Sequence, residues 1–131
     1  MRVFKSKIIR EQLTENELDE LISDFRQYKL TGVVPDTFGR DELYDHPNPL
    51  PILKSEKIQH IHLLDDEKQW SVYVIQFNKT SDEHLVYCQG EANLDCYLLI
   101  AILAPNAHQQ AKNNSVMYNI GKIAEKFRFR Y

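Results

Sequence analysis

The predicted fold depends on one stretch, Tyr97-Leu98-Leu99-Ile100-Ala101-Ile102-Leu103, which is apolar throughout and is followed by Pro105 and Asn106. Consecutive residues of a strand point to opposite faces, so a strand that is apolar at every position must be covered on both sides. The stretch therefore predicts a central β-strand that is buried in a sheet. It is too short for a membrane span, which needs about 18–20 apolar residues.

Four further strands are predicted around this one, from short apolar or β-branched stretches bounded by turn residues. They cover residues 1–10, 57–64, 72–77 and 83–89. The last three precede residues 97–103 with short connections, so these four strands are expected to form an antiparallel meander.

Two longer helices are predicted near the ends of the chain. Thr14 followed by Glu17 has the spacing of a capping box, and Gly32 suits a helix end. The second helix covers residues 107–127, where Gly121 weakens it by up to about 1 kcal/mol relative to alanine. We expect an α+β fold of two layers: a small, twisted antiparallel sheet with both helices on one face and the other face partly open.

Residues 33–56 contain several helix and strand breakers and are predicted to form a long loop, with a short helical turn at residues 41–44. Gly39 permits a tight or left-handed backbone there. The neighbouring Arg40 could bind a phosphate, or it could organise the loop by pairing with Asp41 or Asp45.

The composition is that of a globular protein, with 131 residues, 43% hydrophobic and 27% charged. This length predicts a single domain, residues 1–131. Cys88 and Cys96 form neither a disulfide framework nor a zinc motif by their spacing. The N-terminus lacks the apolar stretch of a signal peptide, so a cytoplasmic location without a membrane partner is expected. Phosphate-binding loops, nucleophile elbows and zinc-helix motifs are absent from the sequence, which gives no support to nucleotide-driven or serine-hydrolase enzymes.

Charge is segregated along the chain. Residues 1–10 and 122–131 together carry eight bases and one acid, or +7, whereas the other 111 residues carry −10, which returns the net charge of −3. If the two termini lie side by side, they would form a basic patch suited to a polyanion.

His60 and His62 are the first candidates for chemistry, because alternate residues of a strand share a face and lie roughly 6–7 Å apart. On an open sheet face they could donate and accept protons, contact a phosphate or chelate a metal. Spacing places no third ligand, and no metal is expected. The alternative is a pair of solvated or hydrogen-bonded histidines without a functional role.

Two further sets of residues carry polar groups suited to binding. Tyr87 and Gln89 share one face of their strand, and either this face or the one with Val86 and Cys88 could be the core face. The alternative to a functional Tyr87 is a buried tyrosine whose hydroxyl is hydrogen-bonded. In the tail, residues 126–131 alternate basic and aromatic side chains. An extended tail would turn its arginines outward to phosphates while its rings pack inward or stack on bases.

Five motifs, in the same order and covering essentially the whole chain, resemble those of the YafO toxin family of bacterial type II toxin–antitoxin systems. They are Met1-Arg2-Val3-Phe4-Lys5, Phe38-Gly39-Arg40-Asp41 followed by Leu43-Tyr44-Asp45, His60-Ile61-His62-Leu63, His84-Leu85-Val86-Tyr87-Cys88-Gln89-Gly90 and Leu98-Leu99-Ile100-Ala101-Ile102-Leu103.

This resemblance implies an endoribonuclease that cleaves translated mRNA in a ribosome-dependent manner and is held inactive by a cognate antitoxin of the YafN type. By fold-level analogy it also implies a RelE-like arrangement. Cleavage by the neighbouring 2′-hydroxyl needs a base, an acid and a cation, and no cofactor. A non-catalytic module that blocks translation by binding RNA or protein is the alternative, and a metal-dependent hydrolase using His60, His62 and His84 is a third.

Within this interpretation, His60 or His62 is the base or acid, and Tyr87 orients or donates. Arg40, Arg128 or Arg130 stabilises the developing charge. Arg40 thus belongs with His60, His62 and Tyr87 to the expected catalytic residues. The residues expected to bind RNA are Gln89, Lys122, Lys126, Arg128 and Arg130.

Overall fold

The computed structural model describes residues 1–44, 50–65, 70–71 and 73–131. Within these ranges the strands are β1 (Arg2–Lys5), β2 (Phe38–Leu43), β3 (Gln59–Leu63), β4 (His84–Gln89) and β5 (Cys96–Leu103). The helices are α1 (Lys7–Gln12), α2 (Glu15–Thr31), α3 (Pro51–Ser55), α4 (Ala107–Gln110) and α5 (Asn114–Arg130), with a 3₁₀ turn at Gln76–Asn78.

The strands form one mixed sheet in the order β1-β5-β4-β3-β2. β2 to β5 pair antiparallel in chain order, which confirms a meander. β1 pairs parallel with β5, so the prediction of a purely antiparallel sheet is wrong. The reason is topological, because α1 and α2 carry the chain from β1 at one edge to β2 at the other, and the meander returns beside β1 in the same direction.

Helices cover both faces of the sheet, so the prediction of two layers with an open face is wrong. The α2-side core contains Ile9, Leu18, Phe25, Phe38, Ile61, Leu85, Tyr87 and Leu99. The α5-side core contains Leu53, Val86, Cys88, Leu98, Ile100, Met117, Ile120, Ala124 and Phe127, among others. Neighbouring residues of β4 alternate between the two cores, and those of β5 do so except at Ile100 and Ala101, which both face the α5-side core where the register against β4 shifts. This confirms that residues 97–103 form an interior strand.

The predicted first long helix is confirmed as α2. Thr14 and Glu17 form the capping box: the Thr14 hydroxyl accepts from the Glu17 backbone at 3.2 Å, and the Glu17 carboxylate accepts from the Thr14 backbone at 2.9 Å. Gly32 ends the helix with a left-handed φ of 76°. Residues 1–10, by contrast, are a strand only at their start, because Ser6 caps α1 by accepting from the backbone of Ile9.

The predicted last helix is divided into α4 and α5, and α5 continues to Arg130, so the expectation of an extended tail is wrong. Phe127 is buried, whereas Phe129 is 95% exposed. The two differ because residues two positions apart in a helix point to different sides. Gly121 lies against α3, where an added Cβ would come within 2.5 Å of Cγ2 of Ile52.

Two further predictions for the middle of the chain are wrong. Residues 41–43 belong to β2 rather than to a helical turn, and residues 33–56 also contain α3. Residues 73–75 form an irregular turn that leads into the 3₁₀ turn at Gln76–Asn78, so residues 73–77 do not form a strand, and Val72 lies outside the described residues. Within the described ranges, no helix has the length and apolarity that crossing a membrane requires.

Candidate functional site

Three histidines meet on the α5 side of the sheet, at the end of β4 far from the chain termini. His62 and His84 are direct cross-strand partners, and His60 lies two residues from His62 on the same face. The ring centroids are 4.3 Å apart for His62 and His84, 4.7 Å for His60 and His84, and 5.3 Å for His60 and His62. The structure therefore brings together the three histidines named for the metal-dependent alternative, and we call the three rings the histidine cluster.

The histidine cluster is buried rather than displayed on an open face. His60, His62 and His84 are 6%, 2% and 1% exposed. Burial lowers the pKa of His60 to about 2, with further lowering by the neighbouring imidazoles of His84 and His62. Burial likewise lowers the pKa of His62 to about 4 and that of His84 to about 3. All three rings are therefore neutral at neutral pH, and each offers a lone pair.

Two rings of the cluster have a hydrogen-bonding partner outside it, and the third is covered by a stacked tyrosine. Tyr44 stacks on His60 with centroids 3.8 Å apart, and its hydroxyl lies 2.7 Å from Nδ1 of His84. Nδ1 of His62 lies 2.8 Å from the backbone nitrogen of Ser81 and 3.0 Å from its carbonyl oxygen. A backbone contact with Glu42 opposes the lowering of the His60 pKa.

Two nitrogens of the cluster nevertheless stay unsatisfied. Within the described part of the chain, Nδ1 of His60 and Nε2 of His84 are buried and have no hydrogen-bond partner. An unsatisfied buried polar atom costs about 1–3 kcal/mol. One ring nitrogen from each of the three histidines lies within 4.8 Å of the others, so the cluster has the donor set of a metal site.

His108 lies where the histidine cluster approaches the surface. Its ring centroid is 5.0 Å from that of His84 and 5.9 Å from that of His62. Its side chain is 63% exposed, and its Nδ1 lies 2.8 Å from Oδ1 of Asp82. Hydrogen bonds from the backbone and ring of His108 lower the pKa of Asp82. Sequence reasoning missed this pair, since no strand or helix spacing relates a turn residue to one 26 positions later.

Arg40 lies on the same side of the sheet as the histidine cluster, as the predicted site requires. Its guanidinium stacks on Phe77 at 3.9 Å, and Nη1 is 3.5 Å from Oε1 of Glu42. Its charge contributes to the low pKa of His62, after burial and together with the charge of His108. The expected partner Asp41 pairs with Lys29 instead, and Asp45 lies outside the described residues.

Tyr87 lies on the opposite face of the sheet from the histidines. It is fully buried, and its hydroxyl donates to Oδ1 of Asp41 at 2.7 Å and accepts from Nζ of Lys29 at 2.8 Å. Tyr28 also donates to Asp41, at 2.8 Å. Burial raises the pKa of Tyr87 well above its usual value. The structure does not bring this hydroxyl together with His60 or His62.

The predicted RNA-binding residues of the tail divide into exposed and buried groups. Lys122, Lys126 and Arg130 are exposed at intervals of four residues, so they form a basic stripe along one side of α5. Arg128 is buried and bound to the carboxylates of Glu56 and Glu91 and to two backbone carbonyls. An RNA-binding role for Arg128 stays a prediction.

The predicted proximity of the two termini is confirmed. The guanidinium of Arg2 lies 5.2 Å from the ring of Tyr131, and the ring of Phe4 is 4.8 Å from that ring. Arg2 therefore lies near Arg130 at the end of the basic stripe, since the Arg130 guanidinium is 5.5 Å from the same Tyr131 ring. Arg128 bonds to the carbonyl of Gln89, five residues along β4 from His84, which separates this end from the histidine cluster by about 17 Å. The side chain of Gln89 bonds to Leu94 and Tyr97.

The fold and the site define a small α+β protein with a surface acid–base pair and a separate basic helix face. The chain belongs to the YafO toxin family of type II toxin–antitoxin systems, since residues 26–129 match the family model described as Toxin YafO, type II toxin-antitoxin system. It is 52% identical over 132 residues to the mRNA interferase toxin YafO of Escherichia coli (strain K12), with 100% of both chains covered. No solved structure matches the chain.

Proposed function

We propose that this chain is an endoribonuclease toxin that cleaves translated mRNA in a ribosome-dependent manner and so inhibits translation. The observation that carries the proposal is the full-length, 52% identity to a protein named as an mRNA interferase toxin. Residues 1–131 would act as one domain in the cytoplasm, with mRNA and the ribosome as partners and a YafN-type antitoxin as the inhibitor. The RelE-like arrangement also stays a prediction.

The proposed reaction uses the RNA's own 2′-hydroxyl and needs no metal ion. The 2′-oxygen attacks the adjacent phosphorus, and the bond to the 5′-oxygen breaks, which leaves a cyclic phosphate and a 5′-hydroxyl. A base must remove the proton of the nucleophile, an acid must protonate the leaving oxygen, and a cation must stabilise the charge on phosphorus.

We assign proton transfer to His108 in preference to His60 and His62. His108 is exposed, and Asp82 fixes its ring through Nδ1, which leaves Nε2 available to RNA. His60 and His62 are almost without solvent contact, so an RNA strand cannot reach them in this conformation. Direct catalytic roles for these two histidines and for Tyr87 stay predictions.

Arg40 is the proposed cation, because its guanidinium is partly exposed on the histidine face and held in place by Phe77. A planar guanidinium matches the geometry of phosphate oxygens. The basic stripe of α5 would contact the RNA backbone further along the strand. A local basic surface of this kind is compatible with an overall pI of 5.9, since electrostatic binding depends on the charges facing the RNA.

The proposal is tested by expressing the chain in bacteria without an antitoxin. Primer extension is carried out on a reporter mRNA and on a copy that lacks its start codon. The wild type is expected to arrest growth and to produce discrete new 5′ ends on the translated copy alone. His108→Asn is expected to reduce these ends by about 100-fold or more, the usual contribution of a positioned acid or base.

Gln109→Ala is the matched control, because Gln109 is an exposed residue beside His108 on α4. It is expected to cleave like the wild type. Continued growth with intact mRNA would overturn the proposed function. Growth arrest with intact mRNA would favour a binding module that blocks translation, and full cleavage by His108→Asn would remove His108 from the site.

A further inference from the structure

The histidine cluster contains an arrangement that the proposed reaction does not use. Its three rings come from two adjacent strands, and all three are buried. In the described part of the chain, Nδ1 of His60 and Nε2 of His84 have no hydrogen-bond partner. A buried polar atom without a partner is unusual in a native protein and calls for an explanation, such as a bound ion.

We propose that His60, His62 and His84 form a binding site for one divalent transition-metal ion, with Zn²⁺ as the best match. The ligands would be Nδ1 of His60, Nε2 of His84 and Nε2 of His62. This set of three neutral imidazoles without a carboxylate is a donor combination that zinc uses in proteins. The inference goes beyond the proposed function and does not depend on it.

The outer contacts of the rings support this assignment. Metal-bound histidines usually use their second nitrogen in a hydrogen bond that fixes the ring. Nδ1 of His84 has the Tyr44 hydroxyl at 2.7 Å, and the ring of Tyr44 also stacks on His60 with centroids 3.8 Å apart. Nδ1 of His62 accepts from the backbone N–H of Ser81 at 2.8 Å, which places the ring proton on Nε2. Binding an ion at Nε2 therefore requires this proton to move to Nδ1, where the Ser81 carbonyl at 3.0 Å can accept it.

The distances are compatible with an ion after a small closure of the cluster. Zinc–nitrogen bonds of about 2.0–2.1 Å place two ligands of a tetrahedral ion about 3.4 Å apart. The three ring nitrogens already lie within 4.8 Å of one another, so the rings need to approach by about 1 Å or slightly more. Hard oxygen-preferring ions such as Mg²⁺ are excluded by the all-imidazole donor set.

The ion would join β3 to β4 beneath the surface occupied by His108. The ion would form bonds with two nitrogens that otherwise lack a partner. It should bind the folded chain more tightly than the unfolded chain and so stabilise the fold. The RNA cleavage proposed above does not pass through it. Metal binding and RNA cleavage can therefore succeed or fail separately.

The test uses the full-length chain without a polyhistidine tag, stripped with EDTA, equilibrated with ZnCl₂ and desalted. Elemental analysis is expected to find about one zinc per chain, and the melting temperature is expected to rise by about 4 °C or more. Co²⁺ in place of zinc is expected to give the intense visible absorption of a four-coordinate site. Fewer than about 0.1 zinc per wild-type chain, with no rise in melting temperature, would overturn the proposal.

Variants locate the ion. His84→Asn and His60→Asn are each expected to lose the zinc and the cobalt spectrum, whereas His108→Asn, the matched control, is expected to keep both. Loss of metal in His108→Asn with retention in His84→Asn would overturn the assignment. If His84→Asn fails to fold, the zinc content and the cobalt spectrum of the wild type still test the proposal, because neither measurement needs a variant.

Discussion

Tyr87 donates a 2.7 Å hydrogen bond to Oδ1 of Asp41 across the α2-side core, and Lys29 is bonded to both residues. The three side chains come from β4, β2 and α2, so the network ties a helix to two strands of the sheet. Asp41 and Lys29 are 8% and 18% exposed, which makes them a largely buried ion pair. The net contribution of such a pair to stability is small, because burial removes water from both charges. Removing one partner is nevertheless strongly destabilising, because the other charge is left buried without compensation.

We therefore expect Asp41→Asn to lower the free energy of unfolding by about 3 kcal/mol, at the lower end of the usual range for breaking a buried pair. The loss arises because Lys29 stays in a poorly solvated position without its counter-charge. Urea denaturation followed by circular dichroism measures the change. Asp36→Asn makes the same chemical change at an exposed residue and should alter stability by less than about 0.5 kcal/mol. Equal effects of the two substitutions would show that the network does not stabilise the fold.

The sequence predicted α2 correctly because its beginning and end depend on local chemistry, in the capping box of Thr14 and Glu17 and in Gly32. It predicted β5 correctly because burial on both faces leaves a continuous apolar stretch. The same observation should have ruled out an open sheet face. The parallel pairing of β1 with β5 could not be predicted, since it depends on which edge the chain reaches after α2.

Gly121 illustrates a residue whose role only tertiary packing reveals. Helix propensity alone predicts that Gly121→Ala stabilises α5 by up to about 1 kcal/mol. The structure predicts the opposite sign, because the new Cβ would lie 2.5 Å from Cγ2 of Ile52 on α3. We expect Gly121→Ala to destabilise the chain by about 1–3 kcal/mol, the usual cost of overpacking.

A double-mutant cycle checks the cause of this effect. Ile52→Ala removes the atoms that clash, so Gly121→Ala made in that background should cost less than in the wild type, with a coupling energy of about 1 kcal/mol. Thermal or urea denaturation of the four proteins measures the cycle. Purely additive effects would show that the contact between α3 and α5 is not what requires glycine.

Glu17 makes the stability of α2 depend on pH. Its pKa is lowered from the usual 4.5 by hydrogen bonds from Thr14. A pKa that is lower in the folded than in the unfolded chain gives stabilisation that is present above about pH 4.5 and is lost as the pH falls through the folded value. We expect the stability difference between the wild type and Glu17→Gln to shrink between pH 7 and pH 3, as measured by urea denaturation at each pH.

Glu15→Gln is the matched control for this prediction, because Glu15 is an exposed acid in the same first turn without the capping contact. Its stability difference from the wild type should change less over the same pH interval. An identical pH dependence for both substitutions would attribute the effect to the helix dipole rather than to the capping box.

The candidate site was only partly accessible to sequence reasoning. Alternation along a strand placed His60 and His62 on one face, and that face does contain His84 and Arg40. Alternation could not reveal that Tyr44 stacks on His60 or that Ser81 and His108 lie against His62, because these contacts come from residues distant in the chain. The pairing of His108 with Asp82 could not be predicted for the same reason. It forms because the turn before β4, which contains Asp82, lies next to α4, which contains His108.

The basic stripe of α5 provides a final prediction, which separates binding from cleavage. Lys126→Gln and Arg130→Gln are expected to weaken binding to single-stranded RNA carrying a 2′-deoxy substitution that prevents cleavage. Because binding to phosphates releases counterions, each lost contact should reduce the slope of log affinity against log salt by about 0.7. Fluorescence anisotropy across a salt series measures both quantities.

Lys54→Gln removes an exposed positive charge on α3, outside the stripe, and should leave the slope unchanged. If all three variants lower the slope equally, the RNA responds to overall charge, and the stripe is not its binding surface.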